Sequence, residues 1–294
     1  MNDAVSKIIS HKTEDTEFDI SKYQRKLLAV EDRVLPLDEE QKLLRQLSEF
    51  ELGRFLLQNR GVNGFWTSYI IIHAPNEEYL HPLEEWIVFS APVIKASRER
   101  YYIMRHQLQQ LITSHMTIAS LPCGLFEDII TIDYSKVSDI KLVGIDLDNK
   151  SLEYAAKNAK HLDNVELINK NAWHLNEEEK YDILTSSGLN IYEPDNLKVA
   201  ALYRQFYNAI KPGGYLILSF LTPPPSRSDN SPWHNYIAED VLKQKAIFSD
   251  IIDVGWQSFR SADDTKSQLE AAGFYEFKII YDSQYMFPVI VARK

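Results

Sequence analysis

The second half of the sequence alternates short apolar segments with helical ones, and this order restricts the fold more than any other feature. From Met116 onward, five apolar segments with the length of buried strands are separated by segments of helical periodicity, such as Asn149–Lys160 and Asn196–Ile210. Strands that alternate with helices form a parallel sheet with helices on both faces. The five predicted strands are Thr117–Leu121, Lys141–Ile145, Val165–Ile168, Ile183–Thr185 and Tyr215–Phe220.

The end of the sequence departs from this alternation. A predicted helix at Ala262–Ala272, closed by Gly273, precedes two predicted strands, Tyr275–Tyr281 and Tyr285–Ala292. Only residues 282–284 separate these strands, and a connection this short cannot make the crossover that parallel neighbours need. The sequence therefore predicts an α/β fold with a doubly wound, mostly parallel seven-stranded sheet that ends in an antiparallel hairpin.

From Ser21 to about Gln110 the sequence has helical periodicity. One helix is predicted from Asp38, as its N-cap, to a stop near residues 59–61, and a second from Pro92 to Ser114. We interpret this half as a helical cap over the substrate, joined by an insertion that starts in a proline-rich exit from the fifth strand. The predicted organisation is a flexible terminus at 1–20, the helical cap at 21–115, and a Rossmann-like domain at 116–294 that carries the lid insertion 222–260.

Composition excludes several classes of function. Cys123 is the only cysteine, so the chain has no internal disulfide, and no metal site is expected. The 32 basic and 42 acidic residues give a net charge of −10, which disfavours nucleic acid as a partner because its phosphates bind to cationic groups. The sequence has no apolar run as long as a membrane span, and residues 1–19 lack the apolar core of a signal peptide. We therefore predict a cytoplasmic protein with a small-molecule substrate and no membrane partner; the oligomeric state is not readable from the sequence.

Four segments of the second half together resemble the class I S-adenosylmethionine-dependent methyltransferases, over roughly residues 116–294. The order and spacing of the four carry the resemblance, because the second and third are common individually. It implies the same doubly wound sheet, S-adenosylmethionine as the cofactor, and methyl transfer by in-line displacement. The segments are Thr117–Gly124, Val143–Asp148 with the helix that follows it, Ala209–Leu216, and Leu269–Phe274.

The first segment implies a cofactor loop at Leu121, Pro122, Cys123 and Gly124. Members of the family have several glycines there, whereas this chain has one, Gly124. A dinucleotide loop must bring its backbone close to a pyrophosphate, but S-adenosylmethionine has no phosphate, so one glycine after a proline is enough. We interpret Cys123 as a small packing residue of the loop, without catalytic chemistry.

Asp146 is expected at the carboxyl end of the second strand, where ligands of doubly wound sheets lie. The resemblance assigns its carboxylate to the two ribose hydroxyls and Leu147 to the adenine, with Asp148 as a further cofactor contact. The alternatives are that an aspartate here caps the helix that starts near Asn149, a role that suits Asp148 better, and that Leu147 is an ordinary core residue.

Two further segments complete the implied cofactor site. Asn171, Ala172 and Trp173 follow the third strand, where an amide oxygen, a backbone N–H and an aromatic face suit the adenine. Ser187 and Gly188 follow the fourth strand and leave room for the methionine end of the cofactor. A core position for Trp173 and a simple turn at Gly188 are the alternatives.

The residues that act on the acceptor are less well marked. A sulfonium is a good leaving group, so a general base is needed only if the acceptor must lose a proton, and the candidates are His174, His234 and Glu193. Arg54 lies on an apolar stripe and needs a partner, either Glu84 or a substrate carboxylate. Aromatic residues with a few polar anchors suit a small organic acceptor. The candidate acceptor contacts are Trp66, Tyr69, Asn190, Tyr192 and Trp256, with Arg54, Arg98, Arg100 and Arg105 nearby in sequence.

Two other functions compete with methyl transfer. An NAD(P)-dependent oxidoreductase needs a glycine fingerprint near residues 116–127, which this sequence lacks. A noncatalytic binding module on the same fold is suggested by the single glycine of the loop. Asp146 and the Ser187–Gly188 turn favour a working cofactor site instead.

Overall fold

The computed structural model describes residues 18–254 and 258–294, which divide into two compact units. One unit comprises Met1–Arg98 with Asn235–Gly255, and the other comprises Glu99–His234 with Trp256–Lys294. Part of the predicted insertion, from Asn235 onward, therefore belongs to the same unit as the N-terminal helices. No helix in the described part of the chain combines the length and the apolar character that crossing a bilayer requires.

The second unit is built on a mixed sheet. In the described residues its strands are β1 Thr117–Ser120, β2 Lys141–Asp146, β3 Val165–Asn169, β4 Tyr181–Ser186, β5 Ile210–Ser219, β6 Tyr275–Ile280 and β7 Val289–Arg293. Their order across the sheet is β3-β2-β1-β4-β5-β7-β6. Strands β1 to β5 run parallel to one another, and β7 is antiparallel to both of its neighbours, β5 and β6. The predicted fold class is confirmed.

The connection between β6 and β7 is longer than predicted. The predicted pairing is right, but β7 starts at Val289 and not at Tyr285. The carboxylate of Asp282 accepts hydrogen bonds from the backbone N–H groups of Gln284 (3.0 Å), Met286 (3.2 Å) and Phe287 (2.7 Å). These bonds hold residues 281–288 as a folded loop, because the backbone donors are satisfied by a side chain and not by a neighbouring strand.

Helices cover both faces of the sheet. The described helices are α1 Ile20–Leu28, α2 Leu37–Leu47, α3 Glu51–Asn59, α4 Gly64–Ser68, α5 Pro82–Phe89, α6 Pro92–Leu111, α7 Glu127–Ile130, α8 Asn149–Asn158, α9 Asn196–Ala209, α10 Ala238–Lys245 and α11 Ala262–Ala272. Buried residues of α9 and α11 pack with Leu184 and Leu216 on one face. Buried residues of α6 and α8 pack with Ile183 and Ile217 on the other face.

Three adjacent strands end with the same pattern, an isoleucine followed two residues later by a hydroxyl side chain. Ile118, Ile183 and Ile217 lie in the core under α6. Because side chains two residues apart share a face of a strand, the hydroxyl residues lie on that face as well. They are Ser120 of β1, Thr185 of β4 and Ser219 of β5, and all three are buried.

Helix α6 presents a buried stripe with an i, i+4 repeat. Ala96, Arg100, Met104 and Leu108 are all buried, so a charged residue stands among apolar ones. The helix ends at Leu111, three residues earlier than predicted.

In the first unit, the single helix predicted from Asp38 to residues 59–61 is replaced by two helices, α2 and α3. Helix α2 ends at Leu47 and α3 begins at Glu51, because Phe50 adopts an extended conformation. A Cβ at Gly53 would lie 2.1 Å from the carbonyl oxygen of Leu47, so glycine permits this close approach. Asp38 lies in the first turn of α2, and Pro36 occupies the N-cap.

Candidate functional site

The strand order reverses beside β1, which has β2 on one side and β4 on the other. In doubly wound sheets, a crevice opens at such a switch point beyond the carboxyl ends of the strands. The segments that leave β1, β2 and β4 therefore define the candidate site.

The loop after β1 is anchored to both neighbouring strands. The backbone N–H of Leu121 donates to the carbonyl of Thr185 in β4 (3.0 Å), and that of Cys123 donates to the carbonyl of Ile145 in β2 (2.9 Å). The Leu121–Pro122 peptide bond is cis. Gly124 has a φ of +51°, and its N–H donates to Oδ2 of Asp146 over 2.8 Å. The predicted loop thus contacts the predicted carboxylate directly.

Glycine is used in the strand beside the loop as well as in the loop itself. A Cβ at Gly144 of β2 would lie 2.7 Å from the side chain of Leu167, 3.1 Å from Sγ of Cys123 and 3.3 Å from the ring of Phe126. Phe126 is fully buried and has a φ of +64°, a conformation more usual for glycine. Burial raises the pKa of the Cys123 thiol well above its ordinary value, so the thiol stays neutral, as expected for a packing residue.

Asp146 ends β2 with both carboxylate oxygens engaged. Oδ2 accepts from Gly124, and Oδ1 accepts from the N–H of Asp148 over 2.9 Å. Burial raises the pKa of Asp146, and the backbone hydrogen bonds oppose this rise. Each carboxylate oxygen retains a further lone pair for a ligand hydroxyl. Leu147, the next residue, is 48% exposed, so its side chain is open to a ligand and is not a core residue.

Asp148 caps helix α8. Its carboxylate accepts from the N–H groups of Lys150 (3.2 Å) and Ser151 (3.1 Å) and from the hydroxyl of Ser151 (2.8 Å). The capping alternative is therefore confirmed for Asp148 and not for Asp146. A contact of Asp148 with a cofactor stays a prediction.

The turn after β3 holds the predicted adenine contacts in a short 3₁₀ helix. Asn171 is its N-cap, and the side-chain oxygen accepts from the N–H of Trp173 over 3.0 Å. Ala172 is buried, Trp173 is partly buried against the core, and His174 is exposed. Asn169, which sequence reasoning missed, donates to the carbonyl of Leu147 (2.9 Å) and so fixes the turn after β2.

Asp128 of α7 is a second carboxylate at the switch point that sequence reasoning missed. The hydroxyls of Ser120 (2.9 Å) and Thr185 (3.4 Å) both approach its Oδ2 atom, so the side chain joins the ends of β1 and β4. Burial raises the pKa of Asp128 to about 6, and these hydrogen bonds limit the rise. Its position in the first turn after the loop, eight residues beyond Ser120, was the available sequence signal.

The segment after β4 is sharply bent. Ser187 is exposed, and Gly188 has a φ of +142°, where side chains are strained. Asn190 is fully buried and donates to the hydroxyl of Tyr203 over 2.9 Å, which holds it in the core. Tyr192 is partly exposed, and burial raises the pKa of its hydroxyl while Arg100 opposes that rise.

Two of the candidate bases have structural partners. The oxygens of Glu193 accept from the N–H of Asp195 (2.9 Å) and from Lys198 (3.3 Å). The ring of His234 is half-buried, with Nδ1 3.1 Å from the carbonyl of Pro232. Their roles, like that of His174, stay predictions.

Arg100 is distinct among the four arginines that the sequence singled out. Arg54 donates to the carbonyl of Ser48, Arg98 to those of Ile70, Ile71 and Val88, and Arg105 to that of Thr131. The expected partner of Arg54, Glu84, is instead hydrogen-bonded to Tyr69, so that pairing was wrong. Arg100 is 9% exposed and, unlike the other three, donates to no backbone carbonyl of the described residues; its buried Nε is unpaired, as is that of Arg105.

Arg100 lies beside Gly188 in the second unit. A Cβ at Gly188 would be 3.5 Å from Nη1 of Arg100, and the guanidinium stacks on the ring of Phe287, 4.7 Å from its centroid. Burial lowers the pKa of Arg100 to about 10, and Tyr192 and Asp282 oppose this. Its i, i+4 spacing from Ala96 and Met104, on the buried stripe of α6, was the available sequence signal.

The candidate acceptor contacts of the first unit form an aromatic group. Trp66 and Tyr69 meet edge to face, with ring centroids 5.3 Å apart, and the hydroxyl of Tyr69 donates to Glu84 over 3.2 Å. Burial raises the pKa of Tyr69, and the nearby Glu84 adds to this. Trp256 lies outside the described residues.

Comparison with known proteins agrees with this geometry. Residues 112–260 match the family model for a methyltransferase domain. A structure named as a possible exported protein from Bordetella parapertussis is 38% identical, covers 94% of each chain and superposes with a TM-score of 0.88. The magnesium protoporphyrin IX methyltransferase of Synechocystis PCC 6803, solved with bound S-adenosylhomocysteine, is 14% identical over 79% of this chain and 94% of its own, with a TM-score of 0.51. Among proteins with curated functions, none matches the sequence significantly.

Proposed function

Because the chain belongs to the methyltransferase-domain family, we propose that it binds S-adenosylmethionine and transfers its methyl group to a small-molecule acceptor. The observation that carries this proposal is the hydrogen bond between Gly124 of the loop and the carboxylate of Asp146. It joins the segments after β1 and β2 at the switch point, where the family resemblance assigns the ribose.

The residues present fit a nucleoside. The free lone pairs of Asp146 suit vicinal hydroxyls, and the exposed side chain of Leu147 offers an apolar surface to an adenine. The N–H of Ala172 and the ring of Trp173 are the proposed contacts for the adenine edge and face. Leu121 to Gly124 and Ser187 to Gly188 border the methionine part in this proposal.

When bound, the cofactor supplies a methyl group on a positively charged sulfur. The chain then has to hold the acceptor in line and to exclude water, which accounts for much of the rate in such displacements. A base is required only if the acceptor loses a proton, and His174, His234 and Glu193 remain the candidates for that step.

Calorimetric titration with S-adenosylmethionine and, separately, with NADH tests the cofactor. We expect binding of S-adenosylmethionine in the micromolar range and none of NADH. Binding of NADH alone would favour an oxidoreductase and overturn the proposal. A protein that binds S-adenosylmethionine but forms no S-adenosylhomocysteine with any of a panel of small acceptors would be a binding module.

The nature of the acceptor and the place of action are parts of the same proposal. The net charge of −10 disfavours a nucleic acid, and a buried cation such as Arg100 suits a small ligand better than a polymer. We propose that the protein acts in the cytoplasm. Detection of the full chain in the exported fraction of its own cells would contradict this location.

A further inference from the structure

The carboxyl ends of β4 and β5 contain buried polar atoms that the protein does not satisfy. In the described residues, the hydroxyls of Ser186 and Ser219, the side-chain oxygen of Asn190 and Nε of Arg100 have no hydrogen-bond partner. A buried group without a partner costs about 1–3 kcal/mol, and more if it is charged. Arg100 and Ser219 lie on the face of the sheet that α6 covers, and their unsatisfied atoms indicate a site there that a ligand completes. Ser186 and Asn190 lie on the opposite face, which packs with α9.

Arg100 is the only cation among these four groups. It projects from α6, and Ser219 lies on the face of the sheet that α6 covers. Phe287 holds the guanidinium plane by stacking, and Ser283 of the same loop is fixed to α6 by a 2.7 Å hydrogen bond from its hydroxyl to Glu99. The arginine is therefore held in place by packing while its donors remain unused.

Asp282 does not provide the missing partner. Its oxygens accept three backbone N–H groups of its own loop, and it acts on Arg100 only through the electrostatic field. No ion pair joins Arg100 to any carboxylate in the described part of the chain within 4.0 Å. A planar guanidinium with free donors matches a carboxylate, which accepts two parallel hydrogen bonds.

We propose that Arg100 forms a carboxylate-binding site beside Gly188, which receives the carboxylate of a bound ligand. This site adds detail to the proposed function. The carboxylate has two possible sources, and one of them depends on that function. The carboxylate belongs either to the methyl acceptor, which is then an organic acid, or to the methionine part of the cofactor. Gly188 places the backbone after β4 next to the guanidinium, since a Cβ at this position would be in van der Waals contact with Nη1 of Arg100.

The test compares Arg100→Met, which keeps the length of the side chain, with Arg105→Met in the same helix, a partly buried arginine that donates to the carbonyl of Thr131. Each variant and the wild type are titrated with S-adenosylmethionine and with its decarboxylated analogue, which lacks only the carboxylate. Each is then titrated with benzoate, with and without S-adenosylhomocysteine. Arg100→Lys is added because it keeps the charge and removes the paired geometry, and it is used if Arg100→Met does not fold.

Two results support the site and identify its source. A loss of at least 10-fold in affinity for S-adenosylmethionine, with no change for the decarboxylated analogue, assigns the carboxylate to the cofactor. Unchanged S-adenosylmethionine affinity with lost benzoate binding assigns it to the acceptor. The site would be overturned if the Arg100 variants match Arg105→Met in every titration. This includes the case in which the wild type itself does not bind benzoate. If the wild type binds neither S-adenosylmethionine nor its decarboxylated analogue, the proposed function is overturned instead. The benzoate titration then still tests whether Arg100 binds a carboxylate.

Discussion

At the candidate site, the carboxyl ends of the strands form two edges, and the polar groups of these two edges are satisfied in different ways. At the ends of β1 and β2, Asp146 accepts from Gly124 and Asp148, and Asp128 accepts from Ser120 and Thr185. At the ends of β4 and β5, the described residues leave Ser186, Ser219 and Arg100 with unpaired polar atoms. The first edge is complete without a ligand, whereas the second contains donors and acceptors that a ligand can complete. Under the proposed function, the first edge is preformed for the ribose of the cofactor, and the second is completed by the carboxylate of a ligand.

The largest expected effect comes from breaking the complete edge. Asp146→Ala removes the acceptor of two backbone donors and the proposed ribose contact, and we expect affinity for S-adenosylmethionine to fall by about 1.5–3 kcal/mol, or about 10- to 100-fold. Calorimetry of this variant and of the wild type checks this, and equal affinities would remove Asp146 from the cofactor site. Asp148→Ala, which removes the cap of α8 and costs about 1 kcal/mol of stability, is titrated in the same way to test the predicted cofactor contact of Asp148.

The second edge is tested through its backbone. Gly188→Ala places a side chain at a φ of +142° and 3.5 Å from Arg100, and we expect the free energy of unfolding to fall by about 1–3 kcal/mol. Gly213→Ala is the control, because Gly213 has a φ of +80° but no atom within 4 Å of the added Cβ. If chemical denaturation shows the same loss for both, strain alone accounts for it and the crowding at Arg100 is unimportant.

Sequence patterns predicted the strands well because their buried segments are apolar and short. They did not predict where β7 begins, since residues 285–288 are as apolar as a strand but are held in a loop by Asp282. Asp146 and Gly124 could be singled out from the sequence because their positions follow from the ends of the predicted strands. Asp128 was missed, and Arg100 was named only as one of four nearby arginines, because their importance depends on tertiary neighbours, Ser120 and Thr185 for one and Gly188 and Phe287 for the other.

A pH series sharpens the contrast at Asp128, where the two edges meet. Its pKa is raised from 3.8 to about 6 in the folded protein, so the stability it contributes is fully present below pH 3.8 and is lost as the pH rises through 6. Asp128→Asn cannot ionise, and we expect it to exceed the wild type in unfolding free energy by on the order of 1–2 kcal/mol at pH 8 and by less at pH 5. Denaturant titrations at the two pH values measure this difference. A variant whose advantage does not depend on pH would show that Asp128 ionises normally.

The smallest effect compares a paired with an unpaired hydroxyl on the same face of the sheet. Ser120→Ala removes a donor to Asp128, and we expect it to destabilise the protein by about 1 kcal/mol. Ser219→Ala removes a buried hydroxyl without a partner and is expected to be neutral or slightly stabilising in the ligand-free protein. Thermal unfolding of both variants provides the measurement. Equal destabilisation would mean that Ser219 is satisfied in solution and that the two edges are alike.

The position of β7 between β5 and β6 has a consequence for biosynthesis. It is the last strand in sequence, yet it supplies the hydrogen bonds that join β6 to the rest of the sheet. While Val289–Arg293 are still within the ribosome, the nascent chain exposes the unpaired borders of β5 and β6, which are open to association with other chains. Completion of the sheet therefore waits until β7 has left the ribosome, and chains that stop short of β7 are expected to bind chaperones most strongly.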